Sequence, residues 1–383
     1  MKFLYLAGFL GGILATTGCA QTTLKAAFQK DFLIGAALNP AQFCESNSVE
    51  AALIKQQFNS ISPENILKWE IIHPQSGQFD FTPADRYVEF GLTNQMTIIG
   101  HNLIWHSQTP DWVFHDDKGN WVDRGTLLAR MHEHISTVVG RYKGKIFGWD
   151  VVNEALNEDG TLRDSPWRKI IGDDYIAKAF EYAHAADPQA ELYYNDFSLE
   201  NGPKRSGAVT LIKKLQAQGV KISGIGSQGH YGLNSPSVQQ VDQTLFTFEK
   251  LGLKVMITEL DVNVLPSPTH SLGAEVSTHF ESRAGLNPYT NGLPAVVQQQ
   301  LAQRYAELFA VFVKHRDSIS RVTFWGVTDG NSWLNDWPVR GRTSYPLLFD
   351  RASKPKLAFD AVLKAAQTKS TMKLSESESA LVR

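Results

Sequence analysis

Two glutamates in this 383-residue sequence stand where apolar runs stop. Residues 145–152 (KIFGWDVV) read as a buried strand that ends on Asn153 and Glu154. About a hundred residues on, KVMITELDV (254–262) repeats the pattern, with Glu259 at the end of its apolar run. A carboxylate placed where a buried strand runs out is half desolvated, which raises its pKa and suits it to proton transfer. Two such groups in different protonation states fit cleavage of a glycosidic bond. One gives a proton to the leaving oxygen, and the other stabilises cationic character at the anomeric carbon.

Neighbouring residues suit the same task. Asn153 offers an amide that donates to a sugar hydroxyl, an interaction that strengthens in the transition state. Asp261, two residues after Glu259, projects to the same side of an extended segment. His230 ends the run GIGSQGH (224–230), beside the expected Glu259 strand, where it is suited to orient Glu259 and keep it ionised. A lone strand-end glutamate or histidine is ordinarily structural; the combination favours chemistry. Met131-His132-Glu133-His134 resembles a metal cluster, but residues two apart on a helix point in different directions. Packing or surface roles are expected there, and no metal or cofactor is implied.

These groups need a scaffold that gathers strand ends. Eight β-type runs occur at 32–38, 58–63, 97–104, 145–153, 191–197, 224–230, 255–260 and 321–327. Helical segments alternate with them at 49–57, 83–92, 126–142, 175–186, 204–218, 238–251, 295–316 and 356–366. That alternation predicts an α/β fold with a parallel sheet covered by helices. Eight units over about 340 residues predict a closed (β/α)8 TIM barrel, a single catalytic domain over 21–366. Nearly every run ends in polar or aromatic residues, such as Glu64-Asn65, Trp105-His106, Asn153-Glu154 and Glu259 to Asp261. In such a barrel all these ends open on one face. GxxxxGK[ST] does not occur, and the GxGxxG spacing of Gly224 to Gly229 runs along an expected strand instead of opening a helix, so neither usual phosphate cradle is indicated.

Composition narrows the partners. Hydrophobic content of 43% provides for a sizeable core, and a net charge of −2 without a basic block argues against nucleic acid. No protein partner is implied. Nine tryptophans are many, and those near strand ends suit stacking on sugar rings. Lys2, an apolar run to Leu14 and the small residues Ala15 to Ala20 form an export leader over 1–20. Two processing routes compete: cleavage after Ala20, giving a secreted protein, or lipidation of Cys19, anchoring it to a bacterial outer membrane. Cys44 is then the one remaining cysteine, expected as a buried thiol. A long loop is expected over 262–294 on the active face, and the polar tail 367–383 is expected to be disordered.

Several stretches together resemble family 10 glycoside hydrolases, endo-1,4-β-xylanases, across roughly 28–366. They are Ser62-Pro63-Glu64-Asn65 with Lys68, HNLIWHSQ (101–108), WDVVNEAL (149–156), Tyr194-Asn195-Asp196, Ser227-Gln228-Gly229-His230, ITELDV (257–262) and Trp325-Gly326-Val327-Thr328-Asp329. The resemblance implies Glu154 as general acid/base and Glu259 as nucleophile of a retaining double displacement on xylan and xylo-oligosaccharides. It implies that Asn153 bonds the sugar 2-hydroxyl and that His230 and Asp261 support the nucleophile. Glu64, Asn65, Lys68, His101, Trp105, Gln108, Gln228, Trp325 and Trp333 would form the glycone wall, with Tyr194 and Asn195 toward the leaving group. Rival readings are a cellulase or mixed-linkage glucanase on the same barrel, and a non-catalytic sugar-binding barrel, against which both intact glutamates argue.

Overall fold

A computed structural model describes residues 22–269 and 275–367. The expected leader with Cys19, and the tail from 368 on, lie outside the described residues.

Eight parallel strands close on themselves: β1 (Leu33–Leu38), β2 (Ser60–Pro63), β3 (Thr97–Ile104), β4 (Gly148–Asn153), β5 (Glu191–Asp196), β6 (Gly224–Ser227), β8 (Lys254–Asn263) and β9 (Ile319–Phe324). Neighbours pair in that order, β6 pairs with β8, and the seam is closed by β1 against β9, Leu33 beside Arg321. The strands are covered inside and out, so they read as continuous apolar runs; β1 and β4 are buried almost throughout. Helices such as Ser48–Gln57, Arg124–Arg141, Tyr175–Ala186 and Ala295–Lys314 form the outer layer, and a last helix runs over 357–367. The expected barrel is therefore the one observed.

The sixth expected strand is divided. β6 stops at Ser227, and a three-residue strand β7 (His230–Gly232) pairs separately with Asp261 to Asn263 of β8. Gly229 makes the break: its φ of +83° is open to glycine, and a Cβ there would lie 2.9 Å from Ile257 Cγ2. The break frees Gln228 and His230 from the regular ladder.

Of two other expectations, the buried thiol fails and the packed histidine holds. Cys44 caps the short helix Pro40–Phe43 and is exposed, because its helix turns it to solvent while Gln42 and Phe43 face inward. His134 does pack: it is buried against Trp69, rings stacked 3.7 Å apart, with its Nδ1 3.3 Å from that of His73. Burial holds His73 down to about 4 and His134 well below the ordinary histidine value, so both are neutral spacers in an aromatic stack.

Candidate active site

Glu154 follows the last residue of β4, and its backbone turns left-handed, φ +58°. That conformation is uncommon for a side chain with a Cβ and costs of order 1–3 kcal/mol. It breaks the in-out alternation of the strand, so Asn153 and Glu154, consecutive in sequence, both reach the Gln228 amide. Three hydrogen bonds hold the turn. Glu154 N donates to Asn195 O at 2.8 Å, Arg163 Nε donates to Glu154 O at 2.9 Å, and Ala155 N donates to the Tyr194 hydroxyl at 3.2 Å.

Among the described residues, the donors that meet the Glu154 carboxyl are neutral: Trp105 Nε1 at 2.9 Å, Gln228 Nε2 at 2.9 Å and Asn153 Nδ2 at 3.3 Å. It is 7% exposed. Burial pushes its pKa up; the Gln228 and Trp105 donors pull against this, and the charge of Glu259 adds to the rise.

Glu259, within β8, is equally buried but meets a cation. Its carboxylate accepts from Asn195 Nδ2 at 2.9 Å and lies 3.2 Å from His230 Nε2. On the far side of the imidazole, Nδ1 stands 3.1 Å from Asp261 Oδ2. Burial alone would lower the His230 pKa, yet Asp261 and then Glu259 carry it up to about 10, so the ring is an imidazolium at neutral pH. Burial alone would raise Glu259; the His230 hydrogen bond, the His101 and His230 charges and Asn195 bring it below the usual carboxylate value instead.

Between the two glutamates stand Asn195 on β5 and Gln228 after β6, and they hold both in a crossed clasp. Asn195 accepts from the Glu154 backbone and donates its amide to the Glu259 carboxylate. Gln228 accepts from Glu259 N at 2.7 Å and donates its amide to the Glu154 carboxyl. The Asn195 amide is fixed because Thr258 Oγ1 donates to its carbonyl at 2.6 Å. Gly226 leaves the room: a Cβ there would sit 2.5 Å from Asn195 Oδ1.

On the opposite wall, Lys68 Nζ donates to Asn65 Oδ1 and Gln108 Oε1, both at 2.8 Å, and lies 4.9 Å over the Trp105 ring. Gln108 in turn donates to Glu70 at 2.7 Å. Glu64, half-buried, is raised to about 7 by burial, with Lys68 opposing and Glu50 adding. Lys68 is lowered by burial against the pull of four carboxylates. Trp325 stands edge-on to His101, and Trp333 donates to Asp261 at 2.7 Å while stacking on Trp337.

Most of the sequence-predicted residues thus join one cluster of hydrogen bonds and ring contacts at the strand ends, with an exception and two changes of task. Tyr194 does not face it. Strand alternation on β5 turns Asn195 into the barrel and Tyr194 outward, fully buried, its hydroxyl donating to Asp196 Oδ2 at 2.5 Å. Asn195 and Gln228, expected as sugar contacts, are 0% and 3% exposed and bond the two carboxyls themselves.

Residues missed from sequence include Asp150, which holds His101 Nδ1 at 3.0 Å, and Arg163 on the Glu154 carbonyl. Asp150 had a signal, a charge inside an apolar strand. Among the described residues, no three His, Cys, Asp or Glu side chains are placed to hold a metal ion together.

Comparison with known proteins places this geometry. A family model described as glycosyl hydrolase family 10 matches residues 23–365. Over 344 residues the chain is 47% identical to an endo-1,4-beta-xylanase A of Xylanibacter ruminicola, spanning 90% of this chain and 93% of that one. It is 41% identical to a beta-1,4-xylanase of Dictyoglomus thermophilum, over 91% of this chain and 92% of the other. The solved structure of a GH10 endoxylanase from a sugarcane soil metagenome superposes with a TM-score of 0.86 at 47% identity, covering 89% of this chain and 99% of that one.

Proposed function

The chain belongs to glycosyl hydrolase family 10, and from that premise we propose that it is an endo-1,4-β-xylanase working by double displacement with retention. The observation that carries the mechanism is the opposed setting of two equally buried carboxyls. Glu154, raised by burial among neutral donors, enters the reaction protonated; Glu259, facing an imidazolium, enters it ionised. Glu259 attacks the anomeric carbon while Glu154 protonates the departing oxygen.

The ester that forms removes the Glu259 charge, and that charge was one of the influences raising Glu154. Glu154, having given up its proton, is therefore stabilised as a base in time to activate water. The same group serves as acid and then as base because its neighbour changes charge between steps. His230 and Asp261 support the nucleophile. Glu64, Asn65, Lys68, Gln108 and Trp105, with His101, Trp325 and Trp333, form the proposed glycone wall. Lys68 gives two of its three donor hydrogens to Asn65 and Gln108, which leaves one for a sugar hydroxyl.

Proton NMR of xylo-oligosaccharide hydrolysis tests this reading. The first-formed product is expected as the β-anomer; an initial α-anomer overturns retention. Release of reducing sugar from xylan in preference to carboxymethylcellulose tests the substrate class. We propose export from the leader seen in the sequence; mass spectrometry of the mature N-terminus distinguishes cleavage after Ala20 from a lipid on Cys19.

A further inference from the structure

Lys204 and Asp196 form an ion pair in which neither side chain is exposed, with Nζ 3.0 Å from Oδ1. Lys204 also lies 3.5 Å from Glu158 Oε1 and over the Phe197 ring. Burying two charges carries a desolvation cost that apolar side chains of the same volume avoid, so the pair is poor evidence for stability alone. Its connections lead to the active site. The other Asp196 oxygen accepts the Tyr194 hydroxyl at 2.5 Å, and that hydroxyl accepts Ala155 N–H at 3.2 Å. Ala155 is the residue after Glu154.

A tyrosine hydroxyl has one hydrogen. While Asp196 is an anion it takes that hydrogen, and only lone pairs are left for Ala155. Burial raises Asp196 to about 6, and Lys204 is the principal group opposing that rise, so the lysine keeps the acceptor charged. With the pair neutralised, the hydroxyl is free to turn its hydrogen toward the Ala155 N–H. Donor then meets donor, and one of three bonds holding the left-handed turn is lost.

We propose that Lys204, Asp196 and Tyr194 are positioning residues that aim Glu154 by fixing the peptide beyond it. The inference rests on the acid/base role proposed for Glu154.

The test is kcat/KM for Tyr194→Phe and Lys204→Met on xylotetraose and on an aryl β-xylobioside with an activated leaving group. A misaimed acid matters where the leaving oxygen needs its proton. Both variants should lose about 10²-fold on xylotetraose, the scale of a small misplacement, and roughly three-fold or less on the aryl glycoside. Equal losses on both substrates, or wild-type kcat/KM on xylotetraose with only a lowered Tm, would overturn it. Tyr194→Phe keeps the ion pair and the ring, so it decides the matter even if Lys204→Met does not fold. Failure of the functional reading itself looks different: the wild-type chain would not cleave xylotetraose.

Discussion

The ends of β4 and β8 carry the same functional group in opposite electrical company. Glu154 and Glu259 are both nearly inaccessible, both accept hydrogen bonds, and both are held by Asn195 and Gln228. Burial is the largest influence on each, and in each it favours the neutral acid. They part because β7, split from β6 at Gly229, sets His230 beside Glu259, while β3 and β6 offer Glu154 only an indole and an amide. Desolvation makes a carboxyl responsive, and the charge of its nearest partner decides the direction.

The largest way to break this contrast is Glu259→Ala. Loss of the nucleophile should lower kcat on xylan by roughly 10⁴-fold or more, with substrate binding retained in calorimetry. Glu154→Ala should cost about 10²–10⁴-fold on xylan and far less in the first step on activated aryl glycosides. Equal losses across substrates would mean that the two roles are wrongly divided.

His230→Asn removes the cation and should make the two sites alike. Glu259 then titrates higher, so the acidic limb of the kcat/KM profile moves to higher pH. The loss is about 10-fold near neutrality and grows as the pH falls. Trp105→Phe removes a donor that pulls Glu154 down. The basic limb should move up slightly, with a loss of only roughly three-fold from the missing hydrogen bond. If that limb stays in place, the Trp105 donor is not among the groups that set Glu154.

The barrel was legible because a parallel strand buried on both faces has to be apolar along its length, and its polar residues gather where it emerges. WDVVNEAL and KVMITELDV advertise themselves for that reason. Conformation, rather than residue type, hid the rest. Alternation alone sends Tyr194 away from the cleft that Asn195 enters, so motif position misled where strand phase would not. The left-handed turn at Glu154 carries no glycine to announce it, and the partners that hold it are Arg163, further along the chain, and Tyr194 and Asn195 of the next strand. Lys204 reads as one more basic residue on a helix. Only the packed structure puts it at Asp196.

The seam between β1 and β9 bears on how the enzyme comes into being. Leu33 to Ala36 pair with Arg321 to Phe324, and Glu50 accepts from Thr328 and Asn331. A growing chain has made both glutamates, their clasp and the histidine well before β9 exists. Until then the sheet has two open parallel edges, the aggregation-prone state of a long-range topology. Activity should therefore arrive late and all at once. A chain ending before Ile319 holds every residue assigned to acid, nucleophile and clasp, yet is expected to be inert.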